Sequence, residues 1–160
     1  MIKVKLICLG KLKERYLREA TTEYSKRISG YAKLEIIEIE PERLPDEPSE
    51  SQIETALKAE ADKIFKKLDN NSYTVAMCIE GKQLESTEFA KLIEDKTNSG
   101  VGCFNFIIGS SCGLHDSVKQ KAALKFSFSK MTFPHQLFRI MLLEQLYRGF
   151  KINEGSKYHK

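Results

Sequence analysis

The segment that most restricts how this chain can fold is PHQLFRIMLLEQLYRGF, residues 134–150. Proline suits a first helical turn, where its missing N–H would be unbonded anyway and its fixed φ is already helical. Thr132, just ahead, is placed to cap that helix. Stepped round at about 100° per residue, Leu137, Phe138, Ile140, Met141, Leu142, Leu143, Leu146, Tyr147 and Phe150 leave no wholly polar face. A helix apolar on every side is normally buried on every side. Two arrangements achieve this. One face packs on its own sheet and the other on a second subunit, or the helix is a central core element whose arginines reach solvent at its rim. Arg139 and Arg148, nine residues apart, project from roughly opposite sides. In the first arrangement one of them looks toward its own subunit's site and the other toward a partner's.

The rest of the chain alternates apolar runs with polar, helix-like ones. Residues 2–9 (IKVKLICL) and 34–39 (LEIIEI) read as strands, and 73–79 (YTVAMCI) and 103–108 (CFNFII) as strands buried on both faces. A short aromatic strand over 125–129 carries Phe126 and Phe128. Helices are predicted at 11–28, from Ser49 or Ser51 to Leu68, from Ser86 or Thr87 to Lys96, and at 117–123. The prolines and acids of 41–50 make an exposed, mobile loop, and Glu80-Gly81-Lys82 is predicted to turn the chain. Strands alternating with helices, some strands wholly apolar, give an α/β fold with a largely parallel sheet. With no repeat, low-complexity tract or linker, residues 1–160 read as one domain.

Charge separates along the chain. Residues 118–160 hold nine basic and two acidic residues, a net +7, whereas the first 117 hold 17 and 20, a net −3. A basic end on a mildly acidic body suits a polyanion such as RNA, although a solvated helix end clusters charge in the same way. No apolar run approaches the roughly 18 residues of a membrane span, and MIKVKLICLG lacks a signal-peptide pattern, so a cytoplasmic protein is expected. Cys8, Cys78, Cys103 and Cys112 show no C-x-x-C spacing and read as free thiols, with no metal site.

In open α/β sheets ligands sit beyond the carboxyl ends of the strands. Three loops there stand out: 77–82, 109–114 (GSSCGL) and 129–135. Gly109 and Gly113 would let backbone approach a ligand, but GSSCGL is neither a dinucleotide fingerprint nor a P-loop, and a tight strand-to-helix turn explains it better than a phosphate cradle does. No serine sits in a G-x-S-x-G elbow, and a Cys112–His115 pair is a weak candidate nucleophile. His135 is either structural or aimed at the ligand loop. The terminal Lys157-Tyr158-His159-Lys160 reads either as a solvent-facing, ring-bearing tail for unpaired bases and phosphate or as a frayed end.

The segments IIGSSCGL (107–114), FSFSKMTFPHQLFR (126–139), LEQLYRGFKI (143–152) and the terminal YHK resemble the RlmH family of large-subunit ribosomal RNA methyltransferases, within the SPOUT superfamily. The likeness spans the whole chain, including GKLK (10–13) and the EGK after the third buried strand. It implies a SPOUT-type α/β homodimer with a deep trefoil knot within about residues 73–160, an exception to the unknotted rule. It implies S-adenosyl-L-methionine as cofactor, lined by Met77, Gly109, Phe128, Ser129, Lys130, Met131, Thr132 and Phe133. The implied reaction is methyl transfer to N3 of pseudouridine 1915, in the decoding-centre stem-loop of large-subunit (23S) ribosomal RNA within the 70S ribosome. Arg148, Tyr158 and His159 are the implied catalytic residues.

Three positions depart from the family's pattern. Its I-G-G is here Ile108-Gly109-Ser110, Met77 replaces a common leucine, and Lys160 replaces an arginine found in some members. The first puts a side chain on the cofactor loop; the others keep volume or charge. Two other classes remain open: a non-catalytic ribosome- or RNA-binding α/β protein, and a flavodoxin-like enzyme using a phosphate-bearing ligand.

Overall fold

The computed structural model describes residues 1–160. Five strands, β1 (Ile2–Leu9), β2 (Ala32–Ile39), β3 (Tyr73–Gln83), β4 (Cys103–Ile108) and β5 (Leu124–Ser127), form one sheet in the order β2-β1-β4-β3-β5. Every pairing is parallel. The helices are α1 (Arg15–Ile28), α2 (Glu50–Phe65), α3 (Ser86–Asn98), α4 (Asp116–Lys121) and α5 (His135–Asn153).

Period-2 alternation divides the strand residues between two cores. Val4, Leu6, Cys8, Val75, Met77, Phe104, Phe106 and Ile108 face Ile28 of α1, Phe89 and Ile93 of α3, and Leu142, Leu143, Leu146 and Phe150 of α5. Ile7, Leu9, Ala76 and Ile107 face Ala61 and Ile64 of α2 and Val118 of α4. Polar caps explain some helix starts. Ser49, rather than Ser51, caps α2: its hydroxyl accepts from Gln52 N–H at 3.1 Å, while its own N–H donates to Gln52 Oε1 at 2.8 Å.

Helix α5 lies between α1 and α3 on one face of the sheet. Leu142, Leu143 and Leu146 are wholly buried, but Leu137 is 41% exposed and Ile140, Met141 and Tyr147 are half-buried. One chain therefore covers one face of α5 and leaves part of the other uncovered. Arg139 does not reach solvent at a rim. It is 3% exposed, its Nη1 donates to Glu38 Oε2 at 2.8 Å and its Nη2 donates to the Gly10 carbonyl at 3.1 Å. Its Nε is buried without a partner.

Several local expectations are corrected. Pro134 itself occupies the cap position, no side chain caps α5, and Thr132 plays no such part. The predicted α1 start at Lys11 gives way to Arg15, and α5 runs three residues past Phe150. Glu80-Gly81-Lys82 does not turn the chain. β3 continues through it to Gln83 with an irregularity between Met77 and Lys82, so that Phe126 of β5 faces both Met77 and Lys82. Glycine is required there because a Cβ on Gly81 would lie 2.6 Å from Phe126 N. Turn composition was outweighed by a tertiary partner, β5, more than forty residues downstream.

Candidate active site

The carboxyl ends of β3, β4 and β5 open into a cavity of about 530 Å³, within the roughly 300–1,000 Å³ of small-molecule sites. Its apolar wall is built from Met77, Ile108, Leu114, Phe126, Phe128 and Phe138. Phe128 is wedged between Phe126 and Phe138, with ring centroids 5.2 and 4.8 Å away. The rest comes from loops 109–114 and 129–135, from Cys78, Ile79 and Glu80 of β3, and from Ser127 and Lys119.

Loop 109–114 is a tight reversal. Gly113 N–H donates to the Ser110 carbonyl at 2.8 Å, and Gly113 has φ +84°, the left-handed region that glycine enters freely. A Cβ on Gly109 would lie 2.4 Å from the Gly113 carbonyl oxygen. Loop 129–135 is held by side chains at its start. Ser127 Oγ–H donates to the Ser129 carbonyl at 2.9 Å, and Met131 N–H donates to Ser129 Oγ at 3.0 Å.

Seven of the eight cofactor positions implied by the sequence line this cavity: Met77, Gly109, Phe128, Ser129, Met131, Thr132 and Phe133. Lys130 lies in the same loop with its exposed side chain outside the lining. Sequence reasoning singled out the loops that hold Cys78, Ile79, Glu80 and Leu114 without giving these residues a role, and it missed Lys119 and Phe138. Lys119 forms an ion pair with Glu80, which holds that carboxyl below its usual range. The signal for this pair was weak, since α4 and the end of β3 are joined only in three dimensions. His135 lines the cavity, and burial, followed by the charges of Arg139 and Lys13, holds its pKa below the usual value. His115 does not pair with Cys112: its Nδ1 accepts from Ser117 N–H at 3.1 Å and its Nε2 faces Glu54 at 2.6 Å.

Arg148, Tyr158 and His159 also come together, but elsewhere. Arg148 donates to Glu144 from Nη2 at 2.8 Å and from Nε at 3.1 Å, while its Nη1 donates to His159 Nδ1 at 3.1 Å. Tyr158 O–H donates to Glu144 Oε1 at 3.2 Å, its ring 4.9 Å from the Arg148 guanidinium and 5.0 Å from the Tyr147 ring. The pairing with Glu144 raises Arg148 further, and burial raises the Tyr158 phenol, with Glu144 adding to it. The tail is thus neither free in solvent nor frayed; it is folded back on α5. Arg148 stands thirteen residues beyond His135 at the cavity's edge, roughly 20 Å along a straight helix. None of the three lines the cavity of its own chain.

No three or more His, Cys, Asp or Glu side chains cluster as a metal site would require. No helix is long and apolar enough to cross a membrane.

A parallel sheet with a backbone-built cavity at its carboxyl end is a shared architecture, and comparison with known proteins identifies which version this is. Residues 2–159 match the family model described as "Predicted SPOUT methyltransferase". A protein of Streptococcus uberis named "Ribosomal RNA large subunit methyltransferase H" is 47% identical over 159 residues, covering 99% of this chain and all of that one. A protein of Clostridium acetobutylicum with the same name is 47% identical over 157 residues, covering 98% and 99%. A solved structure, "The structure of a probable methylase family protein from Haemophilus influenzae Rd KW20", shares the fold with a TM-score of 0.55 at 15% identity, covering 100% of this chain and 72% of that one. By the family match and by full-length relatives alike, the chain belongs to the SPOUT methyltransferases.

Proposed function

We propose that this chain is an S-adenosyl-L-methionine-dependent ribosomal RNA methyltransferase that acts on N3 of pseudouridine 1915 of 23S RNA in the assembled 70S ribosome. The observation that carries it is the convergence of Met77, Gly109, Phe128, Ser129 and residues 131–133, drawn from three separate stretches of sequence, on one cavity. The name borne by relatives that match this chain end to end supports the RNA substrate.

The cavity suits the cofactor. Aromatic and aliphatic side chains offer faces for an adenine, and the 109–114 and 129–135 backbones offer edges for its hydrogen bonds. When bound, the cofactor supplies an electrophilic methyl group on a sulfonium. The chain's own residues must then align the target nitrogen, exclude water, and stabilise the imide anion left when N3 loses its proton. Arg148 is suited to that charge. Its Nη1 donates to His159 Nδ1, so in a neutral ring the hydrogen sits on Nε2. His159 can therefore take a proton only after releasing Arg148; a water is the other acceptor.

The roughly 20 Å between cavity and tail implies a homodimer in which one subunit's tail completes the other's site. The incompletely covered side of α5, with Leu137 and nearby half-buried Ile140 and Met141, is the surface offered for that contact. We further propose one domain over residues 1–160 with its knot within 73–160, supported by membership of the SPOUT family, and a cytoplasmic location beside its substrate. The test is mass spectrometry of ribosomal RNA after incubating 70S ribosomes with the protein and labelled cofactor. A methyl group on the pseudouridine is expected; unmodified RNA with active cofactor binding would favour a non-catalytic RNA-binding protein.

A further inference from the structure

Glu60 of α2 is a carboxylate 4% exposed, yet it takes part in none of the molecule's ion pairs. Two hydrogen bonds satisfy it instead. Oε1 accepts from the Ser110 hydroxyl at 3.1 Å, and Oε2 accepts from the Glu42 backbone N–H at 3.0 Å. A buried carboxylate loses much when a donor is removed, so both bonds hold their partners firmly.

Their partners belong to two different walls. Ser110 is the second residue of the tight loop that lines the 530 Å³ cavity, and its carbonyl accepts the Gly113 N–H that closes that loop. Glu42 lies near the start of the proline-rich segment walling a second cavity, of about 770 Å³. Ser110, Ser111, Cys112 and His135 line both cavities and form the partition between them. Lys63 anchors the same segment independently, through the Glu40 carbonyl at 3.1 Å and the Glu42 carboxylate at 2.8 Å. Glu60 is thus the side-chain tether between α2 and the partition. Ser110, where the resembling pattern has glycine, supplies the hydroxyl that makes the tether possible.

We propose that Glu60 is a positioning residue that holds the 109–114 loop in its ligand-ready shape through Ser110. This rests on the cavity being the cofactor site, but its first readout needs no ligand.

The test uses the full chain with Ser110→Ala, Glu60→Ala, Glu60→Gln and the double alanine variant. In ligand-free protein, the Gly113 amide should exchange on the order of tenfold faster in S110A, and the melting temperature should fall by a few degrees because buried Glu60 loses a donor. Calorimetric affinity for S-adenosyl-L-methionine should fall on the order of tenfold in S110A and E60A, and the double variant should be no worse than either. KM for the cofactor should rise with kcat little changed. Glu60→Gln can keep both contacts, its amide oxygen accepting from Glu42 and its amide N–H donating to Ser110 Oγ, and should recover most of the loss. Parent-like Gly113 exchange in S110A, additive effects in the double variant, or Glu60→Gln behaving like Glu60→Ala would overturn the tether. Failure of the parent to bind the cofactor would sink the cofactor assignment alone, leaving exchange at Gly113 to decide the tether.

Discussion

Two glycines should respond to alanine with opposite signs, and the structure sets both. At Gly109 an added Cβ would sit 2.4 Å from the Gly113 carbonyl oxygen and 2.6 Å from its carbonyl carbon. Real contacts of this type begin at 3.0–3.4 Å, so the loop must open by 0.6–1.0 Å, and the obstacle is backbone that cannot rotate away. Overpacking of that kind costs about 1–3 kcal/mol, or roughly 2–12 °C of melting temperature for a chain this long. The larger effect should be on the cavity, since a displacement near 1 Å can cost about 100-fold in a site's performance. At Gly149, inside α5, the nearest atom to an added Cβ is Ala90 Cα at 3.6 Å, ordinary van der Waals contact. There alanine gains helix propensity at no steric cost and should stabilise by about 0.5–1 kcal/mol. Differential scanning calorimetry and cofactor titration of both variants check this. A Gly109→Ala protein that melts and binds like its parent, or a Gly149→Ala protein that melts several degrees lower, would refute the steric argument.

Glu38→Gln should destabilise the fold by about 3 kcal/mol, because it leaves the Arg139 guanidinium buried without its counter-charge; urea unfolding measures it. Burial pushes the Cys8 thiol up to about 12, against roughly 8.5 in an unfolded chain. The folded value being the higher, the contribution is complete below about pH 8.5 and is lost as pH rises from there toward 12. Cys8→Ala should therefore flatten the alkaline fall in urea midpoint, and an unchanged slope would count against it. Ellman's reagent on native protein should label the exposed Cys112 first and Cys8 only on unfolding. Tyr158→Ala with His159→Ala should abolish methylation of ribosomes and leave cofactor affinity nearly intact, because neither side chain lines its own cavity.

The strands were legible because their apolar runs are long and their alternation sorts them cleanly onto two cores; Leu6 and Ile7 are neighbours in sequence and face opposite layers. Residues whose role is fixed by a distant partner were not. Gly81 looks like a turn until β5 lies against it, and Arg139 looks like a rim residue until Glu38, 101 positions earlier, supplies its acceptor. Most of the cavity wall lies in the three loops that the strand ends pointed to, and resemblance named seven of its residues, yet Lys119 and Phe138 entered it only through the folding together of α4 and α5. Ser110 looked like a blemish in a glycine pattern, and only the position of Glu60 gives it a partner.

The strand order has a consequence for how the protein is made. β1 pairs on one side with β2, complete by Ile39, and on the other with β4, which begins at Cys103. The 63 residues between them take roughly 3–13 s to synthesise at about 5–20 residues per second. Throughout that interval the nascent chain carries an apolar strand with one bare edge, the kind of surface on which chains aggregate. Slow, late closure of the sheet makes chaperone supply during translation a determinant of yield for this protein.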